Sequence, residues 1–381
     1  MNALNENEEP SLSPLKEVSS KLSLIRNALC ETGAKGVLLR GTDWFAWATA
    51  GGSNTVLLTA ETGVAEVLVT TEDAWILTDE IEAQRLQDEE LPGKGEFETH
   101  PYKLQINPWA DSTSRDSFVQ QATEGGRILS DRPTNHQDSL PASLINHKRV
   151  MMPRELDHYR QVGRKASEAM TEVLSSAQPT WTEYQLAGAG AEALWARGLH
   201  PALTLVAGER RLPLYRHATP TREPLGKIAM LVFCARGYGL YANLTRFVSF
   251  GSLSAEDSEL HRHVREIEAT ALNLSRAGTP LNAVYRGLGQ AYQQHGYPQA
   301  IREHHQGGTT GYLARETIAN PASTESLAGD MVVAWNPSLV RAKIEDTFVI
   351  LRDGLENLTL DPNWPSVEVE GRSRPVPLEK L

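Results

Sequence analysis

The stretch KIAMLVFCARGYGLYANLTRFVSFG, residues 227–251, decides the fold of the second half of the chain. Two runs rich in β-branched, aromatic and other apolar residues flank the segment Arg236-Gly237-Tyr238-Gly239. Apolar runs of this kind favour strands, and the two glycines suit a tight turn. We therefore predict a β-hairpin turned at residues 236–239.

Helical patterns lie on both sides of this hairpin. Residues 153–177 open with Pro-Arg-Glu, and residues 182–198 have Thr182 as an N-cap and Gly198 just past the end. Two further helical patterns occupy residues 254–278 and 280–296, followed by strand patterns at 329–340 and 343–354. This order predicts an α+β domain whose strands form one antiparallel sheet.

The first part of the chain alternates shorter elements, as an α/β layered domain does. A helix is predicted from about Pro14 to Gly33, and a second at residues 78–91. Short apolar runs bounded by turn residues predict strands at residues 34–41, 54–60, 65–71, 74–80 and 126–133. We predict a disordered lead-in at 1–13, domains at 14–148 and 149–360, and a C-terminal tail at 361–381.

Composition excludes several classes of function. The 381 residues carry a formal net charge of -11, and no concentrated basic face is visible, so nucleic acid is not expected as a partner. Only two cysteines are present, which argues against a disulfide framework and favours a reducing compartment. The polar N-terminus does not resemble a signal peptide, and no apolar run is long enough for a membrane span. We expect a cytoplasmic protein that contacts neither membrane nor nucleic acid.

The order of these elements resembles the pita-bread fold shared by prolidase, aminopeptidase P, methionine aminopeptidase and creatinase. The motifs that carry the resemblance are RELDHYRQVGRKASEAM, LTRFVSFG, HHQGGTTGYLARE, GDMVVAWNP and KIEDTFVI. Upstream, TDWFAWATAGGSN and VLVTTEDAWILTDEIEAQRL are similar to the creatinase-type N-terminal domain. The resemblance implies an α+β pita-bread C-terminal domain preceded by a smaller creatinase-type α/β domain, and a homodimer.

The peptidases of this superfamily hold two metal ions with two Asp, one His and two Glu. Carried over position by position, the first of these ligands falls at or beside Val232, and the others fall on Asn243, either His304 or Gly308, Asn336 and Glu345. Two divalent ions about 3.5–4 Å apart need anionic oxygens to neutralise them. Asn is a neutral, weak ligand and Val is none, so we expect no metal site and no cofactor.

The glycine loop EHHQGGTTGYLARE, residues 303–316, lacks the lysine and the spacing of a phosphate-binding P-loop. Creatinase also lacks the metals, and works with a histidine acid/base, carboxylates that hold a guanidinium and arginines that hold a carboxylate. The resemblance places His217, in LYRHATPTREPLGK, at the catalytic histidine and retains Arg315-Glu316 at the end of the loop. Two creatinase carboxylates fall on Thr245 and Asn336, so creatine itself is not expected as the substrate.

Each histidine and its neighbours also have an ordinary structural interpretation. His217 has a pKa near about 6.5 when unperturbed and suits proton transfer, but a loop histidine is often merely exposed. Adjacent side chains point in different directions, so we expect at most one of His304 and His305 to face the site.

The charged residues have alternatives of the same kind. Arg315 either anchors a substrate carboxylate or pairs with Glu316 at the surface. Glu345, an acid that enters an apolar strand, needs a partner: His217, an arginine or a cationic part of the substrate. Its structural alternative is a salt bridge with Arg341 or Lys343, which we rank lower because side chains alternate along a strand.

The leading hypothesis is a metal-independent, creatinase-like hydrolase that cleaves a C–N bond in a small carboxylate-bearing substrate or short peptide. Its catalytic residues would be His217, Glu345 and one of His304 and His305, and Arg315, Glu316, Asn243, Asn336 and Thr245 would bind substrate. Asn243 and Asn336 alternatively only fill the space of absent metals. The first rival is a catalytically inactive module that binds peptide or protein, as similar domains in histone chaperones do. The second is an Xaa-Pro peptidase-type metalloenzyme with atypical ligands.

Overall fold

The computed structural model describes residues 13–91, 101–134 and 136–381, and it divides the chain into two compact units. The units are Met1–Asp157 and His158–Leu381, so the division lies shortly after the boundary predicted at residues 148–149. Residues 1–12 of the predicted lead-in lie outside the described residues. No helix among the residues described has the length and apolar character needed to cross a bilayer.

The first unit is built around a six-stranded mixed sheet with the strand order β4-β3-β2-β1-β5-β6. The predicted first helix is confirmed, with Ser13 as N-cap and Gly33 in the left-handed conformation at its C-terminus. The elements are α1 (Pro14–Thr32), β1 (Gly36–Gly41), α2 (Thr42–Ala48), β2 (Thr62–Val69), β3 (Ala74–Asp79), α3 (Ala83–Arg85), β4 (Lys103–Asn107), α4 (Ser112–Ala122), β5 (Ile128–Ser130), β6 (Gln137–Ser139) and α5 (Ala142–Arg149).

Two predictions for this unit are wrong. Residues 54–60 form no strand, and Val56, Leu57 and Leu58 lie exposed in a loop. The reason is that β2 pairs with β1 on one side and β3 on the other, which leaves this apolar run without a partner strand. The helix predicted at 78–91 is shorter, because residues 78 and 79 belong to β3 and the helical part is α3 followed by one π-helical turn over Leu86–Glu90.

The second unit combines long helices with antiparallel strands, as predicted. Thr182 is the N-cap of α7 and forms a reciprocal capping box with Gln185. The elements are α6 (Pro153–Ser176), α7 (Glu183–Trp195), β7 (His200–Gly208), β8 (Ile228–Gly237), β9 (Leu240–Ser249), α8 (Ala255–Leu274), α9 (Leu281–Gln294), β10 (Gly307–Thr310), β11 (Thr317–Ile318), β12 (Val332–Trp335), β13 (Ser338–Leu339), β14 (Ala342–Lys343), β15 (Asp346–Leu351), β16 (Gly354–Asn357), β17 (Ser366–Val369), β18 (Arg372–Pro375) and β19 (Leu378–Glu379).

The hairpin of β8 and β9 turns where predicted, with Tyr238 and Gly239 at positive φ (53° and 79°). It lies in a four-stranded sheet with the order β19-β9-β8-β7, and a separate five-stranded sheet has the order β11-β10-β12-β15-β16. The single sheet predicted from the sequence is therefore wrong. β19 pairs with β9 at Val248 and Ser249, and nearer its start β9 is linked to the five-stranded sheet by a bridge between Thr245 and Glu345 and by hydrogen bonds between Asn243 and Thr347.

The two faces of the hairpin are both covered. Leu231 and Phe233 pack with α6 and α7 in one apolar cluster, whereas Met230, Val232 and Phe247 belong to a second cluster on the other face. Residues 361–381, predicted as a tail, instead form the β17–β18 hairpin and the strand β19 beside β9. The core thus fixes the register of the hairpin that carries Asn243 and Thr245.

Candidate functional site

Three histidine rings meet in the second unit. His217 lies in the segment between β7 and β8, and His304 and His305 precede β10. The Nε2 atoms of His217 and His304 are 2.9 Å apart, and the ring of His305 stacks on His304 with its centroid 5.6 Å from that of His217. The expectation that only one of the adjacent histidines faces the site is wrong. Their backbone is a turn rather than a strand, so side-chain alternation does not apply.

Burial and nearby cations keep these imidazoles neutral. Burial lowers the pKa of His304 to about 3 and that of His305 to about 4, with help from the charges of Lys343 and Arg315. His217 is more exposed, and its pKa is lowered by burial and by Lys343. Because His217 and His304 are both neutral near pH 7, one Nε2 must donate and the other accept in the bond between them.

Glu345 is the buried carboxylate beside the histidines, and two cations hold it. Arg315 donates to one of its oxygens through a guanidinium N–H, and the Lys343 Nζ lies 3.3 Å from the other oxygen. The Thr245 hydroxyl donates to that same oxygen at 3.2 Å. Burial alone would raise the pKa of Glu345, but Lys343 and Arg315 outweigh it and lower the pKa to about 2. Glu345 is therefore ionised at every pH of interest.

The Lys343–Glu345 salt bridge, expected to be the less favoured alternative, is present in the structure. Side-chain alternation puts residues two apart on the same face of an extended chain, so the rule that was used against the pair in fact favours it. Arg341 instead pairs with Asp257 at 2.9 Å. Lys343 is the site residue that sequence reasoning treated only as a structural alternative, and its spacing from Glu345 was the available signal.

One interpretation of Arg315 was an ion pair with Glu316 at the surface, and the structure shows a different arrangement. Its guanidinium bonds Glu345, and its side chain is largely buried. Glu316 accepts a hydrogen bond from the backbone N–H of Leu313 at 3.1 Å, which closes the turn at the end of the glycine loop. Arg315 thus belongs to the charged centre, whereas Glu316 shapes the loop that carries it.

The two asparagines at former ligand positions are buried and only partly satisfied. Asn243 donates from its side chain to the Thr310 hydroxyl at 3.0 Å. The side-chain oxygens of Asn243 and Asn336 are buried and have no hydrogen-bond partner among the residues described. Unpaired buried acceptors are costly, so both amides can accept a hydrogen bond from a bound molecule.

The residues at the five metal-ligand positions do not fit a pair of metal ions. Val232 is buried in an apolar cluster, and Asn243 and Asn336 offer only neutral amides. The third position falls on Gly308 or on His304. At Gly308 an added Cβ would lie 2.0 Å from the carbonyl oxygen of Thr317, so the strand leaves no room for a histidine there, and His304 is a neutral imidazole that brings no negative charge. Glu345, the carboxylate at the fifth position, is already neutralised by two cationic side chains. Nothing else in this set supplies the negative charge that two divalent ions require.

The three histidines could supply nitrogen ligands to a single ion, since the candidate ligand atoms of His217, His304 and His305 lie within 4.8 Å of one another. Their hydrogen bonds favour a different use. His305 Nδ1 accepts from the Gly307 N–H at 3.3 Å, which puts its proton on Nε2, and the other two rings bond each other. Lys343 and Arg315 act on the same rings and would repel a cation. The group is better suited to holding and moving a proton.

The candidate site therefore combines three features. It has a pair of hydrogen-bonded neutral imidazoles, an ionised carboxylate fixed between two cations, and buried amide oxygens without partners. The two cations outnumber the carboxylate, which favours binding of an anionic group. A cleft with about 260 Å³ of empty space opens beside the site, with Arg216, Arg341 and Lys343 among its lining residues.

Trp44, Trp47 and Trp335 lie in the motifs that carry the family resemblance, and all three are core residues. Trp335 is fully buried and donates from its ring nitrogen to the Ser275 hydroxyl at 2.8 Å. Trp44 and Trp47 are buried in the first unit and contact each other edge to face. These three tryptophans thus stabilise the cores of the two units.

Solved structures show the same fold over nearly the whole chain. An Xaa-Pro dipeptidase from Bacillus anthracis matches with a TM-score of 0.73 and 18% identity, covering 91% of this chain and 98% of that chain. The prolidase from Pyrococcus horikoshii OT3 matches with a TM-score of 0.74 and 16% identity, covering 90% and 98%. The N-terminal domain of FACT complex subunit SPT16 from Cicer arietinum matches with a TM-score of 0.69 and 11% identity, covering 91% and 96%.

At these identities the likeness establishes the two-domain pita-bread fold and no more. No curated protein sequence matches the chain. The sequence profile of metallopeptidase family M24 matches residues 157–352, which include the hairpin, the three histidines, Arg315 and Glu345. The match spans just over half of the 381 residues. The chain is therefore a member of metallopeptidase family M24.

Proposed function

We propose that this chain hydrolyses a C–N bond in a small substrate that carries a carboxylate, and that it does so without the paired metal ions of its family. The observation that carries the proposal is the state of Glu345. Of the five ligand positions this one keeps its carboxylate, and Arg315 and Lys343 already neutralise it. The centre thus holds more positive than negative charge, which suits a substrate carboxylate better than metal cations.

His217 is the general acid and base in this proposal. When His217 donates its Nε2 proton to His304 Nε2, its Nδ1 lone pair is free to take a proton from water. The water oxygen then forms a bond to the substrate carbon, the C–N bond breaks, and the proton returns from His217 to the departing nitrogen. His304 is a positioning residue, because its neutral ring fixes the tautomer and the orientation of His217.

The charged groups bind and orient the substrate. Arg315 offers a planar fork of donors that suits a carboxylate, and Lys343 adds a second positive charge. The unpartnered amide oxygens of Asn243 and Asn336 are acceptors for N–H groups of the substrate. Glu345 keeps the two cations in place and stays ionised, since its pKa is lowered to about 2.

The test is a hydrolysis screen of ureido, guanidino and N-acyl amino acids and Xaa-Pro dipeptides, run with and without a chelator. We expect turnover that survives the chelator and falls at least 100-fold in His217→Ala. The matched control is His200→Ala, which removes a half-buried histidine of β7. Turnover that is lost with the chelator and restored by a divalent ion would overturn the metal-free mechanism, as would unchanged turnover in His217→Ala.

The binding-module alternative predicts a different site. A domain that only binds protein or peptide would have no use for a hydrogen-bonded imidazole pair next to a carboxylate held between two cations. The polar, charged character of this centre favours the enzyme. A screen without turnover, together with saturable binding of a peptide that His217→Ala leaves unchanged, would decide for the module.

A further inference from the structure

A second cleft lies behind Glu345, on the side of α8. It contains about 260 Å³ of empty space. Its walls come from β9, α8, the end of β14 and the segment after β18, and its lining residues are Thr245, Arg246, Phe247, His261, Arg265, Lys343, Ile344, Pro375, Val376 and Pro377. Three of these carry a positive charge, and none of the lining residues in the described part of the chain carries a carboxylate. A basic cleft is notable in a chain of net charge -11.

Two of the three cations already have partners. Arg246 donates to Asp346 at 2.7 Å, and Lys343 lies 3.3 Å from Glu345. Arg265 differs, because it has no ion pair or hydrogen bond with any residue in the part of the chain that the structure describes. Its guanidinium is partly buried, and burial lowers its pKa. A partly desolvated guanidinium without a partner is costly.

The acids nearest to Arg265 are engaged elsewhere. Glu266 is bonded by Arg262 and by His295, at 2.6 and 2.9 Å. Glu268 is bonded by Arg374 at 2.6 Å. The fork of Arg265 is thus left for a molecule that enters the cleft.

His261 supplies a second donor in the same place. It lies one helical turn before Arg265 on α8, so both side chains leave the same face of the helix. His261 is buried, and its Nε2 has no hydrogen-bond partner among the described residues. Burial also lowers its pKa to about 3, so the ring is neutral and can donate one N–H from Nε2.

We propose that this cleft binds a small oxyanion, a carboxylate or a phosphate, held by the guanidinium fork of Arg265 and the Nε2–H of His261. Lys343 and Thr245 line the cleft and also contact Glu345, so the bound anion lies next to the candidate site. Binding of the anion requires no turnover at the candidate site, so it can be measured whether or not the chain is an enzyme.

The test is calorimetric titration of the full chain with inorganic phosphate and, separately, with malonate, at constant ionic strength. We expect saturable binding of at least one of the two, at one anion per chain, weakened at least tenfold in Arg265→Gln. Arg265→Lys keeps the charge but loses the fork, so it should bind with intermediate strength. The preferred titrant distinguishes a phosphate site from a carboxylate site.

Arg164→Gln is the matched control, because it removes an exposed arginine of α6. It should bind the anion as the unmodified chain does. Arg265→Gln should unfold at the same temperature as the unmodified chain, or higher, when no anion is present, since it removes an unpaired charge. Unsaturable heats with both anions, or equal weakening in Arg164→Gln and Arg265→Gln, would overturn the proposal.

Discussion

Replacing Lys343 by methionine removes one of the two cations that hold Glu345, at nearly constant side-chain volume. The Nζ lies 3.3 Å from a Glu345 oxygen, and both side chains are almost fully buried. Arg315 remains on the other oxygen, so the change leaves the carboxylate half compensated rather than bare. The effect on the free energy of unfolding therefore isolates the contribution of Lys343.

The magnitude follows from two quantities. Unit charges 3.3 Å apart attract by about 5 kcal/mol at an effective dielectric constant of about 20, before desolvation is subtracted. The fall of the Glu345 pKa from 4.5 to about 2 includes desolvation and corresponds to about 3 kcal/mol, shared between both cations. Because this second quantity is net of desolvation and the charge of Lys343 is the largest of the effects that lower the pKa, we expect Lys343→Met to destabilise the folded chain by about 2 kcal/mol near pH 7.

The pH dependence has a defined sign. A carboxylate whose pKa is lower in the folded state stabilises that state above its unfolded pKa, here 4.5, and loses this contribution as pH falls toward about 2. The titration of the unfolded state is the same in both chains, so the difference between Lys343→Met and the unmodified chain should stay near its pH 7 value down to about pH 4. It should shrink as the pH falls further toward the folded pKa of about 2.

Urea unfolding at pH 7 and at about pH 2.5 measures both effects, and Glu345→Gln provides the control background. In Glu345→Gln the lysine has no anionic partner, so adding Lys343→Met there should cost almost nothing or stabilise. A loss below about 0.5 kcal/mol at pH 7, or an equal loss in both backgrounds, would show that Lys343 does not hold Glu345.

Two further predictions concern the histidines and the glycine strand. If His217 is the base, the acid limb of the pH profile of kcat/KM should have its midpoint below pH 6.5, because burial and Lys343 lower the pKa of His217. The midpoint of that limb should rise toward pH 6.5 in Lys343→Met. An unchanged midpoint would mean that a group other than His217 titrates. Gly308→Ala should destabilise the chain by about 1–3 kcal/mol, since its Cβ would lie 2.0 Å from the Thr317 carbonyl oxygen. Gly329→Ala, where nothing lies within 4 Å, is the control for urea unfolding, and equal stability of the two variants would contradict the steric argument.

Local sequence signals predicted the elements that local chemistry determines. The glycines at 237 and 239 correctly predicted the position of the hairpin turn, and Thr182 correctly predicted the start of α7. Both predictions succeeded because turn and cap preferences depend on a few neighbouring residues. The loop at residues 54–60 was predicted wrongly for the opposite reason. Its apolar residues look like a strand, but pairing depends on sheet neighbours that lie elsewhere in the chain.

The candidate site was predictable in its composition and not in its contacts. The order of the motifs identified His217, Arg315 and Glu345 as site residues. The hydrogen bond between His217 and His304 could not be predicted in this way, because it joins residues far apart in the sequence. The ion pair of Glu345 with Lys343 could have been predicted from their spacing of two residues, but it was ranked below the alternatives. Arg265 and His261 belong to no motif, so their role depends on the cleft that the fold builds around them. Homodimer formation stays a prediction of the family resemblance.

The position of β19 has a consequence for synthesis of the protein. Leu378 and Glu379 complete the four-stranded sheet by pairing with Val248 and Ser249, which the ribosome produces much earlier. Until those late residues emerge, the nascent chain exposes the outer edge of β9 to pairing with other polypeptides. Folding of this sheet during synthesis is therefore completed only when β19 emerges, and the edge of β9 needs protection from other polypeptides until then.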